Sequence, residues 1–390
     1  MASSASGNSD EVYKHLRHLH HKPPAVPSSE LAESTSHLDD PSATQNSTSI
    51  ASLPVELLTA VFDNCVSKGE RSDPPVPTLL HVVSVSRQWR AIALSAPRLW
   101  ARIYLHDPRM MHVAMVQQWL ERSHAYPLTL AIRHSTTCEP PVDWTIVEAT
   151  NEILLMSFRH IHRWRSITFQ LTRFITLPEL PTILGAAPFL EHVNIDDDGS
   201  FDTVSAKLFW QNILAYPSVS RISWIRREMD QTEYLSGLPR MVVSDWGKLT
   251  HIQGQFHADD TLLEMLSCCQ GLEALNIISL ETSQTPVPFR TRFELPCLRS
   301  LKLNAKGSLM ALVLDSFFAL ALEWVELKFR GGGLQSAIDF LDRSSWKLSY
   351  MKMSGIGISE VDRAFFFALP PLKWVTDLDV TINGIGLTNV

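Results

Sequence analysis

A short pattern, apolar–x–x–apolar–x–apolar, recurs nine times between Trp164 and the C-terminus. The clearest copies are Leu272-Glu-Ala-Leu275-Asn-Ile277, Leu298-Arg-Ser-Leu301-Lys-Leu303 and Leu322-Glu-Trp-Val325-Glu-Leu327. Looser copies begin at Trp164, Leu190, Val219, Leu249, Leu348 and Val375, so successive starts differ by 26, 29, 30, 23, 26, 24, 26 and 27 residues. Units this short cannot enclose a core of their own, so neighbours must stack and share one. The last positions of each copy alternate as a half-buried strand does. Helical segments follow at Asp202–Ala215, Asp259–Cys269, Leu309–Ala321, Gly333–Arg343 and Ser359–Leu369. A strand then a helix, repeated in register, gives a right-handed parallel stack with strands on one face and helices on the other.

The stack extends upstream in weaker form. Arg98 to Leu105 reads as a strand, and Pro108 to His124 as a helix with Met111, Met115 and Trp119 on one side. Tyr126 to Arg133 is a strand in which Leu128, Leu130 and Ile132 alternate. Ile103 and Leu130 are 27 residues apart, the period of the later copies. The repeat domain is therefore assigned to residues 98–390.

Residues 50–97 have a different rhythm. Pro54 suits the first turn of a helix, and Glu56 favours its positive end. Leu57, Val61 and Cys65 then share a stripe, with Leu58 and Phe62 beside it. A turn-rich break from Lys68 to Pro77 precedes a second helix, read from Thr78 to Ser95, with Val82, Val85, Trp89 and Ile92 on one face. Two such helices are marginal alone and need a surface to pack on. Residues 1–49 are rich in Ser, Thr, Pro, His and acidic side chains, and are expected to be disordered. The cluster His15, His18, His20 and His21 reads as part of that solvated tail.

Composition removes several classes of function. The net charge of −7 gives no support to a nucleic-acid surface, which needs a basic face. Cys65, Cys138, Cys268, Cys269 and Cys297 are too scattered for a disulfide framework or a zinc finger, so a reducing compartment is expected. No run approaches the roughly 18–20 apolar residues of a membrane span, and the polar N-terminus has no secretory core. Cytoplasm or nucleus is the expected location.

Strand alternation also names an outward face. Its central column reads Thr168, Asn194, Ser223, Gln253, Asn276, Lys302, Glu326, Lys352 and Asp379; a second includes His192, Arg221, His251, Trp324, Tyr350 and Asp377. Exposed aromatics anchor interfaces. Trp324 and Tyr350, with Lys302, Lys328 and Lys352 near them, are the candidate binding patch for a peptide or acidic partner.

Two stretches carry a family resemblance. Leu53-Pro54-Val-Glu56-Leu57-Leu58-Thr-Ala-Val61-Phe62 resembles the first helix of an F-box. Leu79-Leu80-His-Val-Val83-Ser-Val85-Ser86-Arg87-Gln-Trp89-Arg90 resembles its closing helix, with Ser86 where a cysteine is usual. Residues 67–77 form a longer connection than a minimal box needs. The continuation to Pro97-Arg-Leu99-Trp100 and Trp119-Leu120-Glu121-Arg122 is similar to the expanded F-box families of fungi, and the repeats resemble leucine-rich repeats.

The resemblance implies an α/β chain in which a small helical F-box precedes a leucine-rich-repeat-like solenoid. It implies a substrate-receptor subunit of an SCF-type ubiquitin ligase; the alternative is a non-catalytic interaction scaffold with a degenerate or cullin-independent F-box. Leu53, Pro54, Leu57, Val61, Phe62, Leu80, Val85 and Trp89 match adaptor-facing or box-core positions. The implied partners are a Skp-family adaptor, then cullin and RING subunits, and a protein substrate.

No motif points to chemistry performed by the chain itself, to a cofactor or to a metal. Asp196-Asp197-Asp198-Gly199 lacks the spaced ligands of a calcium loop. Gly331-Gly332-Gly333 and Gly355-Ile-Gly357 lack the Lys-Ser/Thr of a phosphate cradle and read as turns.

Overall fold

The computed structural model describes residues 50, 53–70, 78–135, 143–172, 174–175, 186–197, 203–226, 243–258, 260–282, 292–344, 348–356, 375–382 and 385–388. The chain divides into Met1–Ser52 and Leu53–Val390, and all the elements below belong to the second unit. The histidine-rich tail and the expected helix Ser359–Leu369 lie outside the described residues.

The repeating pattern becomes one sheet. Its strands are β1 (Arg102–His106), β2 (Leu128–Arg133), β3 (Trp164–Leu171), β4 (His192–Asp197), β5 (Arg221–Arg226), β6 (His251–Ala258), β7 (Ala274–Thr282), β9 (Ser300–Lys306), β11 (Trp324–Arg330), β12 (Tyr350–Ile356), β13 (Asp377–Ile382) and β14 (Ile385–Thr388). They lie side by side in chain order. Every pairing from β1 to β13 is parallel, and β14 turns back antiparallel on β13. A separate two-stranded piece joins β8 (Phe293–Glu294) to β10 (Phe317–Phe318).

Register explains why the pattern repeats. Val193, Ile222, Ile252, Leu275, Leu301, Val325, Met351 and Leu378 are successive partners across β4–β13. Two residues on, Ile277, Leu303, Leu327, Met353 and Val380 form a second apolar row. The residues that open the copies, Trp164, Leu190, Val219, Leu249, Leu272, Leu298 and Leu322, are completely buried. Each opening also passes a backbone hydrogen bond to the next: Ser300 N–H donates to Glu273 O, Trp324 to Arg299 O, Tyr350 to Glu323 O and Asp377 to Ser349 O.

The helices are α1 (Val55–Glu70), α2 (Thr78–Val85), α3 (Arg87–Leu94), α4 (Pro97–Trp100), α5 (Met110–Arg122), α6 (Trp144–Phe158), α7 (Thr203–Ala215), α8 (Asp260–Cys268), α9 (Gly307–Ser316) and α10 (Leu334–Ser344). Three expectations need correction. The single helix read over Thr78–Ser95 is two, because Ser86 is extended (φ −155°, ψ 165°) and its hydroxyl caps α3 by accepting from Trp89 N–H. The strand read from Arg98 starts at Arg102, since Pro97 nucleates α4. The helix read to Ala321 stops at Ser316, where the chain pairs as β10.

One close approach depends on glycine. Gly331, Gly332 and Gly333, between β11 and α10, have φ of +66°, +24° and +88°. A Cβ on Gly307 would lie 2.0 Å from Gly331 O and 2.2 Å from Gly332 O. The turn reading of this triplet holds, and it makes room for the start of α9.

Candidate functional site

The helices α1–α4 bury one side and expose another. Leu58, Phe62 and Val66 repeat every four residues along α1, and all three are buried. Phe62 meets Trp89 at 4.8 Å between ring centroids. Across the break at Ser86, Arg90 Nε donates to Val83 O at 3.0 Å. Trp100 Nε1 donates to Ala93 O at 2.8 Å, and the buried Trp100 ring takes Trp119 edge-on and Arg122 at 4.6 Å over its face. Arg102 reaches Asp63 at 3.3 Å. The start of the sheet is thus the surface that this small helical unit packs on.

The other side of α1 is also apolar, and it faces solvent. Leu53, Leu57, Val61 and Cys65 form a second four-residue stripe, with Leu57 54% and Val61 40% exposed. Val55 is exposed beside them, and so is Val85 at the end of α2. Apolar residues grouped at helix positions that face solvent mark an interaction surface.

The outward face of the sheet is polar and has two characters. From β3 to β7 its central column is Thr168, Asn194, Ser223, Gln253 and Asn276. Asn194 Oδ1, Ser223 Oγ and Asn276 Oδ1 are closed off from solvent without a hydrogen-bond partner among the described residues. Alongside, His192, Arg221 and His251 are adjacent across β4, β5 and β6. Burial lowers the pKa of both histidines, and the Arg221 charge lowers them further. From β9 to β13 the column becomes Lys302, Glu326, Lys352 and Asp379, and these neutralise each other. Lys302 meets Glu326 at 3.0 Å and Lys352 meets Asp379 at 3.1 Å. The hydrogen bond to Asp379, with its charge, raises the Lys352 pKa. Trp324 and Tyr350 stack with centroids 5.0 Å apart and planes 5° from parallel.

Residues 50–106 match the F-box-like family model. This chain carries an F-box-like domain. The match takes in α1–α4 and β1, so it runs past the boundary at residue 97. No curated protein matches the chain at significant similarity. F-box domains generally bind Skp-family adaptors.

Within the F-box, the eight residues named from sequence separate by burial. Leu53, Pro54, Leu57, Val61 and Val85 are exposed, whereas Phe62 and Leu80 are core and Trp89 is half-buried against Phe62. Of the two readings given for these positions, adaptor-facing or box-core, Phe62 and Leu80 take the second, and their assignment as adaptor contacts is corrected because neither has surface to offer. Val85 leaves the apolar face read for Val82, Trp89 and Ile92, because the chain turns at Ser86. Val55 was missed; it follows Pro54 outside the predicted stripe, and only exposure reveals it.

On the sheet, the structure brings Trp324, Tyr350, Lys302, Lys328 and Lys352 together on adjacent strands. Within this group Lys302 and Lys352 are each paired to a carboxylate, and Lys328 is exposed. Strand alternation put Asn194 and Ser223 next to each other in one column, but their unmet hydrogen-bonding capacity shows only in the side-chain positions. Cys269 is buried, donates to Met265 O and Trp246 O, and its thiol is pushed up to about 12 by burial, which removes it as a nucleophile at neutral pH. Among the described residues, no group of three His, Cys, Asp or Glu could hold a metal ion. Nor is any described helix long and apolar enough to cross a membrane.

Proposed function

We propose that this chain is a substrate-receptor subunit of an SCF-type ubiquitin ligase. The exposed stripe Leu53–Leu57–Val61 of the F-box-like domain carries the reading, because it is an apolar helix face that a partner must cover. In this reading the stripe, with Pro54, Val55 and Val85, docks on a Skp-family adaptor, and the adaptor links the chain to cullin and RING subunits. The sequential parallel sheet acts as a leucine-rich-repeat-like solenoid of the expanded fungal type and holds the substrate on its polar face. The regular 23- to 30-residue spacing and the shared apolar rows support this architecture. Trp324 and Tyr350 supply a flat apolar anchor there, with Lys328 exposed beside them.

The chain contributes no covalent chemistry in this scheme. It holds substrate lysines near a ubiquitin-loaded enzyme and so raises their effective concentration. Its place of work is the cytoplasm or nucleus, where the substrate is marked for degradation.

The test is a pull-down of the full chain with purified Skp-type adaptor and cullin. A second sample carries Leu57→Asp and Val61→Asp, with folding checked by circular dichroism. Capture of both partners by wild type and its loss in the folded variant is the expected result. Capture of adaptor without cullin would make the chain an interaction scaffold. No capture by folded wild type would end the ligase reading.

A further inference from the structure

The two characters of the sheet face point to different ligands. In the β9–β13 half, Lys302, Glu326, Lys352 and Asp379 answer one another, so that column presents no net charge. In the β3–β7 half, Arg165 is matched by Glu191 at 3.2 Å, while Arg221 is exposed and is in no salt bridge among the described residues. His192 and His251 flank Arg221 on the neighbouring strands, one strand spacing of about 4.8 Å away on each side. In the next row Asn194, Ser223 and Gln253 repeat the same order. Asn194 Oδ1 and Ser223 Oγ are among the polar atoms of this half that are closed off without a partner among the described residues.

We infer that the Arg221 row and the Asn194–Ser223 row together bind an anionic side chain on an extended segment of a partner protein. The donors on this face suit an anion. A guanidinium offers paired donors matched to a carboxylate or phosphate. An asparagine amide and a serine hydroxyl can each turn a donor toward the same anion. The closed-off Ser223 hydroxyl is costly to leave unpaired, and an anion that accepts from it recovers that cost, while Asn194 would donate through its amide Nδ2. Neutral imidazoles beside Arg221 can donate as well, and they become charged more readily once an anion offsets the arginine.

The neighbouring charges decide the sign. His192 feels Arg221, Arg165 and His251 against Glu191, and His251 feels Arg221 against Glu273. Glu191 is held by Arg165, and Asp196, two residues beyond Asn194 on β4, has an interaction of its own. Cationic influences therefore dominate around Arg221, and the occupant of complementary charge is an anion.

This inference rests on the sheet face being the substrate-holding face, and it is tested without adaptor. Two hexapeptides serve as probes, Gly-Ser-Glu-Glu-Ser-Gly and its counterpart with phosphoserine in place of the glutamates. Each is titrated into the full chain, with the imidazole signals of His192 and His251 followed by NMR. Binding is expected to raise the pKa of both histidines and to strengthen as pH falls from 7.5 to 6. Arg221→Ala should weaken binding about tenfold, as should Asn194→Asp, which puts a like charge in the row. Lys306→Ala, at the exposed end of β9, should leave it unchanged. Tighter binding of one probe assigns the anion as carboxylate or phosphate within the same site. Binding that leaves His192 and His251 unshifted, or that survives both Arg221→Ala and Asn194→Asp, would overturn the inference, and so would no binding of either probe. The adaptor pull-down is unaffected by any of these outcomes, so the two readings fail separately.

Discussion

On α1 the stripe Leu58–Phe62–Val66 is buried while its neighbour Leu57–Val61–Cys65, extended by Leu53 just before the helix, faces solvent; in the sheet, every copy-opening residue from Trp164 to Leu348 lies inside. Both regions are built from periodic apolar residues, yet the sheet buries nearly all of its pattern against itself, with Val375 and Leu378 of the last copy half-buried. A strand repeat has neighbours on both sides, so each apolar row is closed by the next. Among the described residues, the F-box-like helices pack on α5 through Trp100 and on β1 through Arg102. What these contacts do not cover remains available to a partner. The sharpest way to break this contrast is to truncate a sheet leucine. Leu327 is completely buried, and Leu327→Ala should cost about 2–5 kcal/mol through lost transfer energy and the cavity left behind. Urea unfolding of the full chain measures it.

The two regions were also unequally legible. The sheet rows follow from period and alternation alone, and the polar column Thr168 to Asp379 falls in register as expected. That works because burial on one face of a strand fixes the register of every side chain. In α1 two adjacent apolar stripes are available, and periodicity cannot say which one turns inward. The stripe read first, Leu57–Val61–Cys65, is the exposed one. Ser86 hid the helix break because serine is tolerated inside a helix as well as at its cap. Helix α6 went unread, although Asp143 caps it and Val147, Ile153 and Leu154 lie inside. Strand β14 was missed too, despite Asn383-Gly384 between two apolar runs, a hairpin signal. Ion pairing in the Lys302–Asp379 column needed side-chain positions, since sequence gives charge but not which neighbour answers it.

The buried side of the comparison has a pH dependence. His134, just after β2, is 4% exposed and shares a 2.9 Å hydrogen bond with Thr150 Oγ1. The Thr150 hydroxyl donates to Ile146 O, so His134 Nε2 carries the proton and donates, and Nδ1 is bare and unpartnered. Burial lowers its pKa to about 4, with His106 acting in the same direction and Asp107 opposing. The unfolded chain binds this proton first, near pH 6.5. The contribution is therefore complete above pH 6.5 and is lost as pH falls toward 4, by about 3 kcal/mol in all. His134→Gln should flatten that part of a stability–pH profile.

Smaller effects follow at two backbone positions, one in each region. Gly307→Ala drives a methyl into the carbonyls of Gly331 and Gly332, and about 1–3 kcal/mol should be lost as α9 shifts away. A fall in the denaturation midpoint checks it. In the F-box, Ser86→Ala removes the cap of α3 and should cost about 1 kcal/mol. The same melt with Ser86→Asn, another capping residue, should recover most of that loss.

The smallest effect is the most informative about the contrast. Leu57 is 54% exposed on the outer stripe of α1, so truncation removes little buried area and leaves no cavity. Leu57→Ala should change stability by no more than about 0.5 kcal/mol in the free chain. A buried leucine of the sheet, cut in the same way, loses several times as much. If the two truncations cost the same, Leu57 is packed in the free chain, and the outer stripe is not an available surface. If Leu57→Ala is silent in urea unfolding yet weakens adaptor capture, the leucine is kept apolar for a partner and not for the fold. The difference between those two measurements on one side chain separates a binding surface from a misread core.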